Sequence, residues 1–385
     1  MQDASEPQAN AANWQFPPHN RWGFRNVRRL LPTARVRRSR TPHSFERRGQ
    51  DLDGLAVGGL AGEPLTLAGV LEATFTDGFL VLHDGRIVHE RYFGGLTSDT
   101  THIVMSVSKS VVSGLIGILV ERNVLALDQV AGHYLPELRH DGYGAVTLRR
   151  LLDMRSAVRY SEDYNDPAAE FFDFDAACGL RPKPRPHPAR GMCDYLATLP
   201  ADPTDPADFC YRSTDTDVLG WVAQRATGMA LETLLATELW EPLGSADDAD
   251  LIVDPLGAPL ADGGLCTTLR DLARFAQMNL DRGSFNGRQI LPERWVAACA
   301  QGDRAAFRRN GYTGLFPKGA YSRQWWVADT DTGRRLALGI HGQMIYLDPD
   351  RDLACVKLSS APDPIDGSTL VLAIRACEAI AATLR

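Results

Sequence analysis

Lysine is nearly missing from this chain: of 41 basic residues only Lys109, Lys183, Lys318 and Lys357 are lysine, and the other 37 are arginine. Arginine keeps its proton in proteins, whereas a buried or charge-crowded lysine can act as a base, so Lys109, three residues after Ser106, invites a chemical explanation. The seven cysteines (Cys178, Cys193, Cys210, Cys266, Cys299, Cys355, Cys377) are odd in number and scattered, with no CxxC or Cys/His ligand spacing. That pattern excludes a disulfide framework or zinc site and fits a reducing compartment. The chain opens on polar Met1-Gln2-Asp3-Ala4-Ser5 and has no apolar run as long as a membrane span, so a cytoplasmic protein without a membrane partner is expected. Gly-x-Ser-x-Gly, His-Glu-x-x-His and P-loop motifs do not occur, and neither metal nor cofactor is expected. A net charge of -7 gives no support to nucleic-acid binding.

What is present is the composition of an ordinary globular enzyme, 385 residues long, 44% hydrophobic and 8% aromatic. Ten arginines crowd the stretch from Arg21 to Arg48. They read either as a basic arm for RNA or transit, or as an arm packed over the domain surface and neutralised by acids from elsewhere. Residues 1–65 show little periodicity and are expected to be irregular. Beyond them, Phe79–Leu82 and Ile87–Phe93 flank Asp84-Gly85, a hairpin signal. The segment Ser108–Val120 is too apolar all round for a surface helix and reads as a buried one. Short helices are expected over Val146–Met154 and Val218–Ala226, and surface excursions around Pro182–Pro188 and Pro200–Pro206. A helix over Thr268–Leu280 should precede strands at Gln324–Val327, Arg335–His341, Met344–Leu347 and Leu353–Leu358, with a closing helix from Thr369 to Leu384.

In Ser106-Val107-Ser108-Lys109 the i, i+3 spacing on a helix puts the amine beside the hydroxyl. A serine hydroxyl needs such a neighbouring base to attack, and a helix N-terminus can stabilise a developing oxyanion. The alternative is a capping serine and a solvated lysine, but the flanking Met105, Val107, Val111 and Val112 argue against free hydration of Lys109.

With these residues the chain resembles serine hydrolases of the class C β-lactamase and penicillin-binding type, whose Ser-x-x-Lys is followed by a Tyr-x-Asn or Tyr-x-Ser; here that is Tyr211-Arg212-Ser213. Within that group it is most similar to the 6-aminohexanoate-dimer hydrolases. The matching stretches include Pro17-Pro18-His19-Asn20-Arg21-Trp22, Glu162-Asp163-Tyr164, Thr214-Asp215-Thr216-Asp217, Arg323-Gln324-Trp325-Trp326, Gly339-Ile340-His341-Gly342-Gln343 and Val356-Lys357-Leu358-Ser359-Ser360. The resemblance implies that Ser106 is acylated, that Lys109 and Tyr211 share the proton work, and that the Ile340 N–H is the second oxyanion donor. Lys109 would have to lower the Tyr211 pKa. It further implies that Tyr164 and Asp175 hold the substrate's amide and free ammonium, with Ser213, Asp262 and Trp326 lining the site; His341 is expected in a structural or site-lining role and not in a triad, since Lys109 and Tyr211 account for the proton transfers. Three positions depart from relatives: Ala337-Leu338-Gly339 stands where many carry Lys-Thr-Gly, Asp262 where the best amidases have asparagine, and Ile365 where they have tyrosine.

The expected fold is α+β and class C β-lactamase-like: an N-terminal arm (1–65), an antiparallel sheet flanked by helices (66–140 and 255–385), and an inserted helical subdomain (141–254), with the site in the cleft between. The expected activity is hydrolysis of a linear ω-amino-acid amide through an acyl-serine, with side esterase activity, on a small-molecule amide or ester and as a monomer or homodimer. The rivals are a carboxylesterase, an amide-forming acyltransferase, and a non-catalytic relative.

Overall fold

The computed structural model describes residues 9–182, 189–204 and 208–384. The proline-rich excursions expected near Pro182–Pro188 and Pro200–Pro206 lie partly outside these residues. In chain order the helices used below are α1 (Asn20–Arg25), α2 (Leu67–Ala73), α3 (Val107–Glu121), α4 (Glu170–Ala177), α5 (Ser213–Thr227), α6 (Leu269–Leu280) and α7 (Gly367–Thr383). The strands are β1 (Thr33–Val36), β2 (Thr76–His83), β3 (Arg86–Tyr92), β4 (His102–Ile103), β5 (Ala249–Ile252), β6 (Leu265–Thr267), β7 (Ala320–Ser322), β8 (Trp325–Asp329), β9 (Arg334–Gly339), β10 (Gln343–Asp348) and β11 (Leu353–Ser359).

Seven strands form one antiparallel sheet in the order β7-β8-β9-β10-β11-β2-β3, so sequence-distant parts of the chain meet where β11 pairs with β2. The β2–β3 turn has both Asp84 and Gly85 at positive φ, 50° and 70°, the pair a two-residue hairpin with native twist requires. Side chains alternate across the sheet. Ala354, Val356 and Leu358 of β11 join the core that contains α3 and α6 residues, while Leu353 and Cys355 join the one that contains α2 and α7 residues.

Helix α3 is buried from Val107 to Leu119, Ser108, Lys109, Ser110 and Ser113 included, as the apolar residues distributed all round it require. Its Gly117 faces the Trp295 ring so closely that a Cβ there would come within 2.6 Å of ring carbons. Gly117→Ala is therefore expected to destabilise the fold by about 2 kcal/mol through overpacking, read as a lower urea midpoint at constant slope; an unchanged midpoint would mean the ring yields freely.

The N-terminal stretch departs from its expected irregularity. Residues 20–36 form α1, a short following helix and β1, which pairs with β5 in a second sheet ordered β1-β5-β6-β4. Trp14, Phe24 and Val27 are core residues. The acids that meet this arginine-rich stretch come from far along the chain: Arg21 pairs with Asp77, Arg28 with Asp250 and Arg47 with Glu90 at 2.6–2.8 Å. Among the described residues no helix is long and apolar enough to cross a membrane.

Candidate active site

The chain leaves β4 through Val104 and Met105, turns at Met105 with φ +47°, and enters α3 at Val107. A left-handed non-glycine residue costs on the order of 1 kcal/mol; here the Ser108 hydroxyl and backbone N–H, both donating to the Met105 carbonyl at 2.6 and 2.9 Å, hold the turn. Ser106, at the mouth of α3, makes no capping bond with its side chain. Its Oγ instead accepts a hydrogen bond from Lys109 Nζ at 2.9 Å. Lys109 is 1% exposed, also donates to the Asp262 carbonyl at 2.9 Å, and has the Asp262 carboxylate 3.6 Å away. A capping serine with a hydrated lysine is not what the fold builds.

The end of β9 reaches the same turn. A Cβ on Gly339 would sit 2.7 Å from the Val104 carbonyl oxygen and 3.0 Å from Met105 Cβ, so only glycine permits this approach. It carries Ile340 next to Ser106. Two cavities meet there, and Ser106, Tyr164 and Ile340 line both.

Tyr211, just before α5, stacks on Trp326 with ring centroids 5.5 Å apart. Lys109 Nζ stands 5.3 Å from the Tyr211 ring centroid, and Tyr211 lines the larger cavity beside Ser106. The expected fall in its pKa does not occur. Burial pushes the phenol up, the Lys109 charge pulls against it, and the net value is about 12. For Lys109 burial works against the ammonium but is outweighed by its electrostatic coupling to Tyr211, Asp262, Glu162 and Asp217, so its pKa rises. The resting trio is thus an alcohol, an ammonium and a phenol.

The larger cavity, 490 Å³, is walled mainly by apolar groups such as Tyr312, Leu315, Trp326, Leu338, Met344 and Ile365, and is of ordinary size for a small-molecule site. The smaller, 50 Å³, is lined by Asp175, Asp262, Ser213 and Phe171 among others, room for an ammonium head and little more. Asp175 lies on α4 and is 4% exposed. One of its oxygens, Oδ2, takes both contacts from Arg181, at 2.7 Å from Nε and 2.6 Å from Nη2. Burial raises its pKa to about 7, with Arg181 opposing and Asp262 and Glu162 reinforcing. Trp325 stacks on Phe275 in the core, leaving Trp326 as the cavity wall.

Of the structural and site-lining roles expected for His341, the structure gives it the structural one: it is not among the residues lining either cavity. Its ring meets Phe24 edge-on at 5.1 Å, its Nδ1 donates to the Ala361 carbonyl at 2.8 Å, and burial lowers its pKa to about 4. It is a neutral packing residue, turned there by a φ of +61°. Three groups escaped the sequence reading of the site. Glu162 accepts from the Tyr164 hydroxyl at 2.6 Å and from the Ser213 N–H and hydroxyl at 2.7 and 2.8 Å; burial raises its pKa despite Lys109. Asp217 accepts the Ala261 and Asp262 N–H groups at 2.9 and 3.2 Å, fixing the segment that receives Lys109. Arg181 is the third. Glu162 had a signal in its place two residues before Tyr164, and Asp217 in the matching stretch Thr214-Asp215-Thr216-Asp217; Arg181 had none. Among the described residues no group of three or more His, Cys, Asp or Glu could hold a metal ion.

Residues 71–376 match the Beta-lactamase family. A 6-aminohexanoate-dimer hydrolase of Paenarthrobacter ureafaciens is 39% identical over 362 residues, covering 94% of this chain and 90% of that protein. A solved structure from Bacillus anthracis, provisionally named a 6-aminohexanoate-dimer hydrolase, superposes with a TM-score of 0.89 at 28% identity over 99% of this chain and 98% of that one. EstCE1, described as a hydrolase with promiscuous acyltransferase activity, shares the fold with a TM-score of 0.61 at 16% identity, over 82% of this chain and 98% of that one.

Proposed function

The chain belongs to the beta-lactamase family of serine hydrolases, and from that premise we propose that it cleaves a linear amide of an ω-amino acid, of the 6-aminohexanoate-dimer type, through an acyl-Ser106 intermediate. The observation that carries this reading is the place of Ser106 between a small acidic cavity and a large apolar one. A molecule with an ammonium head, a methylene chain and a central amide fits that division. The ammonium lies against Asp175, where a charge-assisted bond in a water-poor site is strong, and the amide lies over Ser106.

Attack by Oγ on the amide carbon puts negative charge on the carbonyl oxygen, which the Ser106 and Ile340 N–H groups receive. The serine proton passes to Tyr211 in its minor phenolate form, stabilised by the Lys109 ammonium, and Tyr211 returns it to the leaving amine. Water, deprotonated by the same phenolate, then releases the acid and restores the serine. Ester substrates need less help with the leaving group, so esterase activity accompanies the amidase. The seven free cysteines support a cytoplasmic setting.

Because Asp175 must be ionised to hold a cation, its value of about 7 makes KM for an amine-bearing substrate fall as pH rises through that value. Asp175→Asn should remove both this pH dependence and the preference, on the order of tenfold, for a free amine over an N-acetylated analogue. Steady-state kinetics on the two substrates at several pH values makes the check; a preference that survives the substitution would defeat the cation-recognition role.

A further inference from the structure

Lys357, on β11, is 2% exposed yet lines the large cavity. Its Nζ donates to the Thr74 carbonyl at 3.0 Å and the Gly342 carbonyl at 3.2 Å, which accounts for two of its three N–H groups. No carboxylate among the described residues is within ion-pair distance of it, in contrast to Lys109 and Lys318. Lys357 is in register with Met344 of β10, and Met344 with Leu338 of β9. All three line the cavity, so they form one row leading away from the strand end beside Ser106. With neighbouring strands ~4.8 Å apart, Lys357 stands about 10 Å across the sheet from β9. The strand end beside Ser106 is Ala337-Leu338-Gly339, which carries no charge, and the row ends in a lysine two strands further on.

We propose that Lys357 is the anion-binding group of the large cavity and takes a carboxylate carried on an extended methylene chain, the acid end of the substrate. The proposal deepens the reading above and rests on it for the substrate: with the ammonium at Asp175 and the amide at Ser106, the remaining half of an ω-amino-acid dimer runs into the apolar cavity. An extended five-methylene chain, on the order of 8 Å at ~1.5 Å per bond, matches the row. A buried ammonium without a counter-ion is unfavourable, and the two carbonyls only partly compensate: burial lowers the Lys357 pKa to about 7, with Asp77 and Cys377 pulling the other way. A carboxylate supplies the missing charge and an acceptor for the third N–H. The groups facing Lys357 are the Thr74 carbonyl after α2, Asp77 on β2, Gly342 in the turn before β10, Ser359 on its own strand and Cys377 on α7. Of the other acids lining the cavity, Glu162 is held by Tyr164 and Ser213, Asp363 is exposed, and Asp366 caps α7 by accepting the Ser368 and Thr369 N–H groups.

The test uses competitive inhibition of p-nitrophenyl ester hydrolysis by N-acetyl-6-aminohexanoate and by its uncharged carboxamide, neither of which carries the ammonium. In the wild-type enzyme near pH 6 the carboxylate should bind on the order of tenfold more tightly than the carboxamide. That ratio should collapse toward one in Lys357→Met, and in wild type near pH 9, where the lysine is neutral. Equal inhibition by the two compounds in wild type near pH 6, or a ratio that survives the substitution, overturns the proposal. Should Lys357→Met not fold, the wild-type comparison at the two pH values decides by itself. Because the probes bypass Asp175, loss of amine recognition in Asp175→Asn bears on the amide reading and leaves this outcome separate.

Discussion

Ser106→Ala is expected to lower kcat for a p-nitrophenyl ester by on the order of 10⁴-fold or more, and to remove the pre-steady-state burst entirely. The size follows from the chemistry: without Oγ no covalent intermediate forms, and what remains is positioning plus the two oxyanion donors, which by themselves leave only residual catalysis. Structural damage should be slight. The Ser106 side chain caps nothing, and its one described hydrogen-bond donor, Lys109, retains the Asp262 carbonyl. Unchanged urea unfolding beside lost turnover is therefore the expected pair of results, and burst kinetics with the unfolding curve supply both. A variant that kept more than a few per cent of wild-type kcat would place the nucleophile elsewhere.

Lys109→Met should reduce kcat by on the order of 10³-fold and, unlike the serine variant, also destabilise the protein by about 3 kcal/mol. Methionine keeps the length of the side chain and removes the charge, leaving Asp262, Glu162 and Asp217 without the cation that faces them. Glu162 and Asp217, whose pKa values burial already raises, then hold their protons still more tightly in the folded state than in the unfolded chain. A raised folded pKa contributes stability at low pH that is lost as pH rises through it, so the deficit against wild type should shrink toward about pH 5 and widen toward about pH 8. Adding Ser106→Ala to Lys109→Met should cost little further activity, because the two act as one unit. Denaturation at several pH values, with kinetics of both single variants and the double, checks these outcomes; a pH-independent deficit would mean that the lysine acts through packing alone.

The parts of the molecule legible in sequence are those whose signal is local. The Ser106–Lys109 pair follows from one helical turn, the buriedness of α3 from its lack of any polar face, and the β2–β3 hairpin from Asp84-Gly85. Parts that depend on distant partners were not legible. The strand Thr33–Val36 looks irregular because its pairing partner, Ala249–Ile252, lies more than two hundred residues away. The expected strand through His341 stops at Gly339, because His341 adopts a left-handed turn. Glu162 meets Ser213 across 51 residues. The direction of the Tyr211 shift required knowledge of its burial, which outweighs the adjacent ammonium. The scarcity of lysine that singled out Lys109 applied equally to Lys357, but no serine at helical spacing drew attention to it.

The proposed mechanism requires that the Ser106 alcohol, held by the buried Lys109 ammonium at the junction of two cavities, becomes covalently acylated during turnover. Intact-protein and peptide mass spectrometry on enzyme quenched during hydrolysis of a slow p-nitrophenyl ester tests it most directly. One acyl group per chain is expected, carried on the peptide that contains Ser106, accumulating in wild type and missing from Ser106→Ala. Turnover with no adduct under burst conditions, or an adduct on another residue, would contradict it.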